Sequence, residues 1–281
     1  MLYFIHQPGK VGSQTVEASL RASDPSATTL RFHLLARGNL DTGERVARAS
    51  SGPLARSLME QVNGGRRALE ELQRHAPSET VVFSGVRDPL DFAIAAFFQN
   101  LAYFYPDYSS PLPGEQFNTG LFDAEVDRML EAFAAEFSAF RARIGKPADT
   151  IRDFVTNKAF HNIGEWYDEE FRTVHGVDVF AMNFSRTFEH FQTERGAFII
   201  YRRESLHDVL PEILNLLPLP GPPRIINANV SNGKPYAVLY QAFRERFDPN
   251  EDMIEYYYGG RFFSHFYAAS TPMYSMRARK A

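Results

Sequence analysis

Cysteine is absent from this 281-residue chain. Disulfides, thiol nucleophiles and cysteine-ligated metals are therefore excluded. No apolar run approaches the roughly 20 residues needed to cross a bilayer. The first hydrophobic stretch is broken at once by His6 and Pro8, so no signal peptide is recognisable and a cytoplasmic protein is the expectation. Positive charge is not in excess either: 30 Lys and Arg stand against 34 Asp and Glu, a net charge of −4. Such a chain has no bulk attraction for nucleic acid or an anionic membrane, so any anion must be held locally. His161, His175, His190, His207 and His265 lack paired ligand spacing such as HxxxH, and no metal site is assigned. Internal repeats and low-complexity tracts are missing too.

What is abundant is aromatic carbon. Hydrophobic residues make up 44% of the chain, with 25 Phe and 13 Tyr. That is enough for a substantial core in one large domain. Phe133, Phe137 and Phe140 fall at helical spacing and read as core, while a minority of the aromatics could line a pocket for a base or a sugar.

Leu2–His6 reads as a strand and Gly12–Ala22 as the helix after it. Thr28–Leu35 reads as a second strand, Leu54–His75 as a long polar helix and Thr80–Val86 as a compact buried strand. Pro89–Asn100 is an apolar helix with Asp88 at its N-cap and Pro89 in its first turn. This β-α-β-α-β-α order predicts an α/β fold with a parallel sheet between helices. Residues 101–120, rich in Tyr, Pro and Gly, read as an inserted loop of the kind that often covers a substrate. Asp123–Ile144, Asp149–Asn162 and Asp168–Val174 predict a helical portion over 121–175. Val177–Asn183 and Gly196–Tyr201 read as late strands pairing in a hairpin. Asp208–Leu217 is a helix, followed by a Pro-rich segment at 217–223. The tail 236–281 carries helices at Tyr236–Phe247 and Glu251–Tyr258. One domain spanning 1–281 is the simplest account.

The stretch Gln7-Pro8-Gly9-Lys10-Val11-Gly12-Ser13-Gln14-Thr15 holds the strongest chemical signal. A strand, a tight basic turn and a helix start form an anion cradle. Backbone N–H groups point outward, the helix dipole favours negative charge, and Lys10 adds a full positive charge. The order is not that of a Walker A motif, which places Lys directly before Ser or Thr at the helix start. No acidic strand end is evident to hold Mg²⁺, so a kinase or ATPase is disfavoured. An ordinary strand–helix turn with Ser13 as a cap is the plain alternative.

The order K-x-G-[ST]-x-[ST] resembles the cradle of sulfotransferases that use 3′-phosphoadenosine 5′-phosphosulfate (PAPS). Two further segments are similar to that family. Arg87-Asp88-Pro89, with Ala95-Ala96-Phe97-Phe98 after it, resembles the RDPxxRxxSxFF pattern of carbohydrate sulfotransferases and of bacterial capsular-polysaccharide proteins. The run from Asn227 through Asn232, Lys234 and Tyr236 to Tyr240 and Phe243 resembles the tail of those bacterial proteins. The resemblance spans residues 5–243. It implies a P-loop NTPase-like sulfotransferase fold with a helical acceptor-side half. It also implies PAPS as cofactor without a metal, and a hydroxyl acceptor, possibly a carbohydrate. Gly9, Lys10, Gly12, Ser13, Gln14 and Thr15 would hold the 5′ end of PAPS and Arg87 its 3′-phosphate. Asn232 and Lys234 would close over the nucleotide. The family's Ser is Ala95 here and a usual basic residue is Phe92, which removes one 3′-phosphate contact at a cost of roughly 1–2 kcal/mol.

In-line transfer also needs a base for the acceptor hydroxyl. His33, near the end of the second strand and at the same sheet edge as the cradle, is the first candidate. Related sulfotransferases carry a His in a similar place. His6 is the second candidate. Lys10 is the catalytic cation, placed to neutralise the leaving oxygen. Plain readings stand beside these: Arg87 in a structural salt bridge, His33 hydrogen-bonded within the fold, and the run Glu165–Glu170 as an acidic helix start with Asp168 as cap. A silent nucleotide-binding module and a P-loop-like phosphotransferase are the rival functions.

Overall fold

The structure is a computed structural model that describes residues 1–104, 119–228, 236–268 and 274. Its centre is a five-stranded sheet in the order β2-β1-β3-β5-β4. The strands are β1 (Leu2–His6), β2 (Thr28–Phe32), β3 (Thr80–Val86), β4 (Phe188–Thr193) and β5 (Gly196–Arg202). β2, β1, β3 and β5 run parallel, and β4 lies antiparallel at the edge. Every residue of β1 and β3 is buried, because helices cover both faces and parallel strands then become apolar on both sides. Leu2, Phe4, Val82, Val86, Phe198 and Ile200 fill one face. Tyr3, Ile5, Phe83, Ile199 and Tyr201 fill the other. Successive side chains of a strand point to opposite faces, so this split is the period-2 pattern made visible.

The helices are α1 (Ser13–Ser23), α2 (Arg37–Arg48), α3 (Pro53–Arg74), α4 (Pro89–Gln99), α5 (Leu101–Phe104), α6 (Thr119–Arg141) and α7 (Ile151–Phe160). After them come α8 (Ile163–Trp166), a π-helical turn at Tyr167–Arg172, α9 (Thr173–His175), α10 (Leu206–Asn215), α11 (Ala237–Arg246), α12 (Glu251–Tyr258) and α13 (Arg261–Phe266). α4 is buried around its whole circumference because it is sandwiched between sheet and helices: Pro89 through Phe98 are all buried, and all but Asp91 are apolar. Asp88 caps it, accepting from the N–H groups of Leu90 and Asp91. α4, α6, α7, α11 and α12 share a second core of stacked and edge-on rings, among them Phe97, Phe133, Phe137, Phe160 and Phe243. Phe133, Phe137 and Phe140 are core, as their spacing predicts.

Several expectations need correction. Val177–Asn183 is not a strand: Asp178 accepts from the N–H of Phe180 and turns the chain into a single 3₁₀ turn at Val179–Ala181. The hairpin partner of β5 is instead Phe188–Thr193, a half-buried edge strand. Helix α2 lies where none was expected, because its Gly38, Thr42 and Gly43 mask a buried stripe of Leu40, Val46 and Ala47. The second strand stops at Phe32 and so excludes His33 to Leu35. Asp168 does not cap a helix. Asn162 does, accepting from the N–H of Gly164, while Asp168 pairs with Arg261. The cap of α7 is Thr150, in a reciprocal capping box with Asp153. Gly64 and Gly65 sit inside α3 without breaking it. At Gly65 a Cβ would stand 2.7 Å from the Leu34 carbonyl, so the glycine permits close helix–chain contact. Most of the insert at 101–120, from 105 to 118, lies outside the described residues.

Candidate functional site

β1, β2 and β3 are parallel neighbours, so their carboxyl ends share one edge, where open α/β sheets hold ligands. The cradle is built there, between His6 and Ser13. Lys10 adopts φ 67° and Gly12 φ 90°. Left-handed positions in a turn aim backbone N–H groups into one concavity. Gly12 cannot be replaced cheaply, since its left-handed φ of 90° strains any L side chain; a Cβ would also push aside the Leu206 methyl 2.5 Å away. The turn is braced from two strands. Arg87 Nη1, just past β3, donates to the Lys10 carbonyl at 2.9 Å. The buried Tyr201 hydroxyl on β5 lies 2.8 Å from Gln7 Oε1 and 3.1 Å from the Val11 carbonyl. No side chain caps α1, so Ser13 does not act as a cap; the Thr15 and Val16 N–H groups bond the Gly12 carbonyl, which leaves those of Ser13 and Gln14 without a helical partner.

The cradle opens into a cavity of about 740 Å³. Gly9, Lys10, Gly12, Ser13, Gln14, Thr15, His33 and Arg87 all line it. Asn232 and Lys234 lie outside the described residues. Lys10, Arg31, Arg87, Lys158 and Arg203 also stand in its wall, and among the described residues no Asp or Glu does. A chain with net charge −4 thus presents a cavity wall of one sign. Arg31, Lys158, Arg203 and His207 were missed from sequence, because each is one polar residue in an unremarkable segment and only folding puts them on one wall.

Arg87 is less available than its motif suggests. Nε and Nη2 both donate to Asp91 Oδ2, at 2.8 and 2.6 Å. Nη2 also lies 3.4 Å from the Tyr240 hydroxyl. Burial opposes its charge, and the Asp91 carboxylate outweighs that and holds the proton firmly. Asp91 in turn meets Arg244 at 3.0 Å. Of the five guanidinium N–H groups, one on Nη1 is left over from these contacts. Ala95 and Phe92 face the cavity beside it, so the wall is apolar where the resemblance implies a hydroxyl. Thr15 is also engaged: its Oγ1 donates to the Ala228 carbonyl at 2.9 Å and retains only acceptor capacity.

His33 Nδ1 lies 2.8 Å from the Gln7 carbonyl. A carbonyl only accepts, so Nδ1 carries the proton and Nε2 presents a lone pair. Burial pulls the imidazole down to about 4, with Arg31 and Lys158 adding to the effect against the Gln7 bond. The ring is neutral at pH 7. His6 is corrected as an alternative base: it is 0% exposed, lies 2.9 Å from His175 Nε2 and packs against Trp166 and Phe171. It is not among the residues that line the cavity. Next to it sits Glu170, with Oε2 3.6 Å from His6 Nε2. It is buried on the π-helical turn. Its carboxylate accepts from the N–H groups of Leu35 and Ala36 and from Asn39 Nδ2, and so organises the entry to α2.

A family model described as "Putative capsular polysaccharide synthesis protein" matches residues 141–268. No curated protein and no solved structure matches the chain. The likeness supports a link to a capsular-polysaccharide-related family over that stretch. The stretch includes the β4–β5 hairpin and, in the cavity wall, Lys158 on α7, Arg203, His207 and Tyr240. The cradle and Arg87 precede it.

One further wall element has a sequence signal that went unread. Thr15, Ser19 and Ser23 recur every four residues on one face of α1. Ser19 Oγ accepts from the Ile226 N–H at 2.9 Å, and Ser23 Oγ from the Arg224 N–H at 2.8 Å. Residues 224–228 are thereby strapped along the helix in extended form, which delivers Asn227 and Ala228 to the cavity. Lys158 projects from α7 with Nζ 4.4 Å from the centroid of the Phe154 ring. Burial brings its ammonium down to about 8, and the Glu170 carboxylate limits the fall, so it remains mostly charged at pH 7.

Proposed function

We propose that this chain is a sulfotransferase of P-loop-like α/β fold that moves a sulfuryl group from PAPS to a hydroxyl on a carbohydrate. The observation that carries the reading is the cavity wall: five cations, no carboxylate among the described residues, and a neutral histidine nitrogen beside them. A nucleotide donor with several negative charges suits that field, and a wall carboxylate would repel it. PAPS is here a substrate consumed at each turnover. The uncapped start of α1, the left-handed turn and Lys10 suit its 5′ end. The match to a capsular-polysaccharide family over 141–268 favours a glycan acceptor.

In the reaction the acceptor oxygen attacks sulfur. The new O–S bond forms as the bond from sulfur to the 5′-phosphate oxygen breaks, and that oxygen keeps the electron pair. The acceptor proton passes to His33 Nε2. Lys10 and the opening N–H groups of α1 stabilise the charge that grows on the departing adenosine 3′,5′-bisphosphate.

A binding module without turnover is the second reading, favoured by the commitment of Arg87 to Asp91 and by the apolar Ala95. Calorimetric titration with adenosine 3′,5′-bisphosphate, AMP and ATP, followed by a turnover assay with PAPS, separates the readings. A preference for the bisphosphate with transfer to a glycan supports the enzyme, and the same preference without transfer supports the module. A preference for ATP with Mg²⁺ would make it a phosphotransferase. Arg87→Ala should weaken the bisphosphate by about tenfold or more and AMP far less, a loss of at least ~1.4 kcal/mol. Equal weakening of both would reduce Arg87 to a brace for the cradle.

A further inference from the structure

Four of the five cations of the cavity fall into two groups. Lys10 and Arg87 belong to the cradle. Arg31 and Lys158 instead stand by His33, close enough that both disfavour its protonation. Their situations differ. Arg31 Nε already donates to Glu17 Oε2 at 2.6 Å. Lys158 has no ion pair among the described residues, and its near neighbour is the Phe154 ring. The one carboxylate that acts on it, Glu170, has its oxygens bonded to Leu35, Ala36 and Asn39. A cation held at a partly desolvated wall without an anion is costly, and a ligand can supply the missing charge. The same wall offers Ser57 and Gln61 from α3 as hydrogen-bonding groups, with Leu58 and Ile151 as apolar surface. Hydroxyl-matching polar groups beside apolar patches suit a sugar ring.

We propose that the α3–α7 side of the cavity binds an acidic saccharide, with the Lys158 ammonium pairing with a carboxylate on the sugar presented to His33. The sulfotransfer reading supplies only the role of His33 in this inference; the carboxylate site stands on Lys158 and its wall. An acidic sugar there would share one positive field with the donor cradle.

The test uses the full chain and uronate-containing tetrasaccharides, each paired with its carboxyl-reduced counterpart, in calorimetric titrations without any nucleotide. Wild type should bind the uronate form about tenfold more tightly. Lys158→Met, which keeps the apolar stem over Phe154, should erase the difference, and Lys158→Arg should keep most of it. Far-ultraviolet circular dichroism and melting curves establish that both variants are folded. Equal binding of the paired saccharides by wild type overturns the proposal, and so does a preference that survives Lys158→Met. If the uronate preference depends on Lys158 but adenosine 3′,5′-bisphosphate does not bind, the acidic-saccharide site is supported and the PAPS reading falls.

Discussion

At the scale of single residues, environment more than identity decides role. His6 and His33 both sit at the carboxyl edge of the sheet, yet one is sealed between rings and the other opens on the cavity. The Gln7 carbonyl fixes the His33 tautomer, so Nε2 is ready to take a proton. His33→Ala should lower kcat for sulfotransfer by about 10²–10⁴-fold with little change in bisphosphate affinity by calorimetry. Since burial takes the His33 imidazole to about 4, the acid limb of kcat/KM for wild type should fall near pH 4, well below the usual histidine range. A limb near 6.5 that vanishes in His33→Ala would mean that the ring is more solvated than the fold implies.

At the scale of elements, the cradle is a junction held by its neighbours. Gly12 belongs jointly to the turn and to α10, because Leu206 occupies the space a side chain would need. Gly12→Ala should lose roughly 1–2 kcal/mol from the left-handed backbone, read as a drop in urea midpoint. The same variant should weaken nucleotide binding, because the N–H groups of the turn would be displaced. The entry to α2 depends on a residue far off in sequence. Glu170→Ala would strand the N–H groups of Leu35 and Ala36 and the amide of Asn39, for a loss of roughly 2–5 kcal/mol by denaturant unfolding. If unfolding shows less than ~1 kcal/mol, solvent is replacing the carboxylate and α2 is not held as tightly as its hydrogen bonds indicate.

At the scale of the whole molecule, buried ionisable groups set the response to pH. His33 is lowered to about 4, and burial lowers His175 as well. Below the unfolded value of ~6.5, the unfolded chain binds protons that the folded chain refuses, so stability falls as pH drops from there. Glu170, lowered by His6 and by the Leu35 and Ala36 N–H groups against the cost of burial, adds a loss below its unfolded value, about 4.3. Asp88 acts in the opposite sense. Burial raises it to about 6, so the folded state gains a proton first, which offsets part of the loss between 6 and 4. Urea unfolding at stepped pH should show stability falling between pH 6.5 and 4 and more steeply below. A flat profile over that range would mean that the two histidines titrate freely in the fold.

The strand runs at Leu2–His6 and Thr80–Val86, the capped start of α4 and the basic turn at Lys10 were legible because each is written in neighbouring residues: unbroken apolar runs, Asp-Pro at a helix start, Gly and Lys in a turn. α2 was hidden because its apolar stripe is sparse among Gly and Thr, and the first hairpin strand because Val177–Val179 carries the stronger apolar pattern yet turns at Asp178 into the core. The sequence by itself determined a mainly parallel α/β sheet and a tight basic turn at the start of α1, since local periodicity and turn chemistry act within a few residues. Only the tertiary structure decided that Arg31, Lys158 and Arg203 line the same cavity as the cradle, that Arg87 is shared with Asp91, and that His33 rather than His6 faces that cavity. Those outcomes depend on which buried surfaces meet, and contacts between residues some hundred positions apart leave no mark in either segment alone.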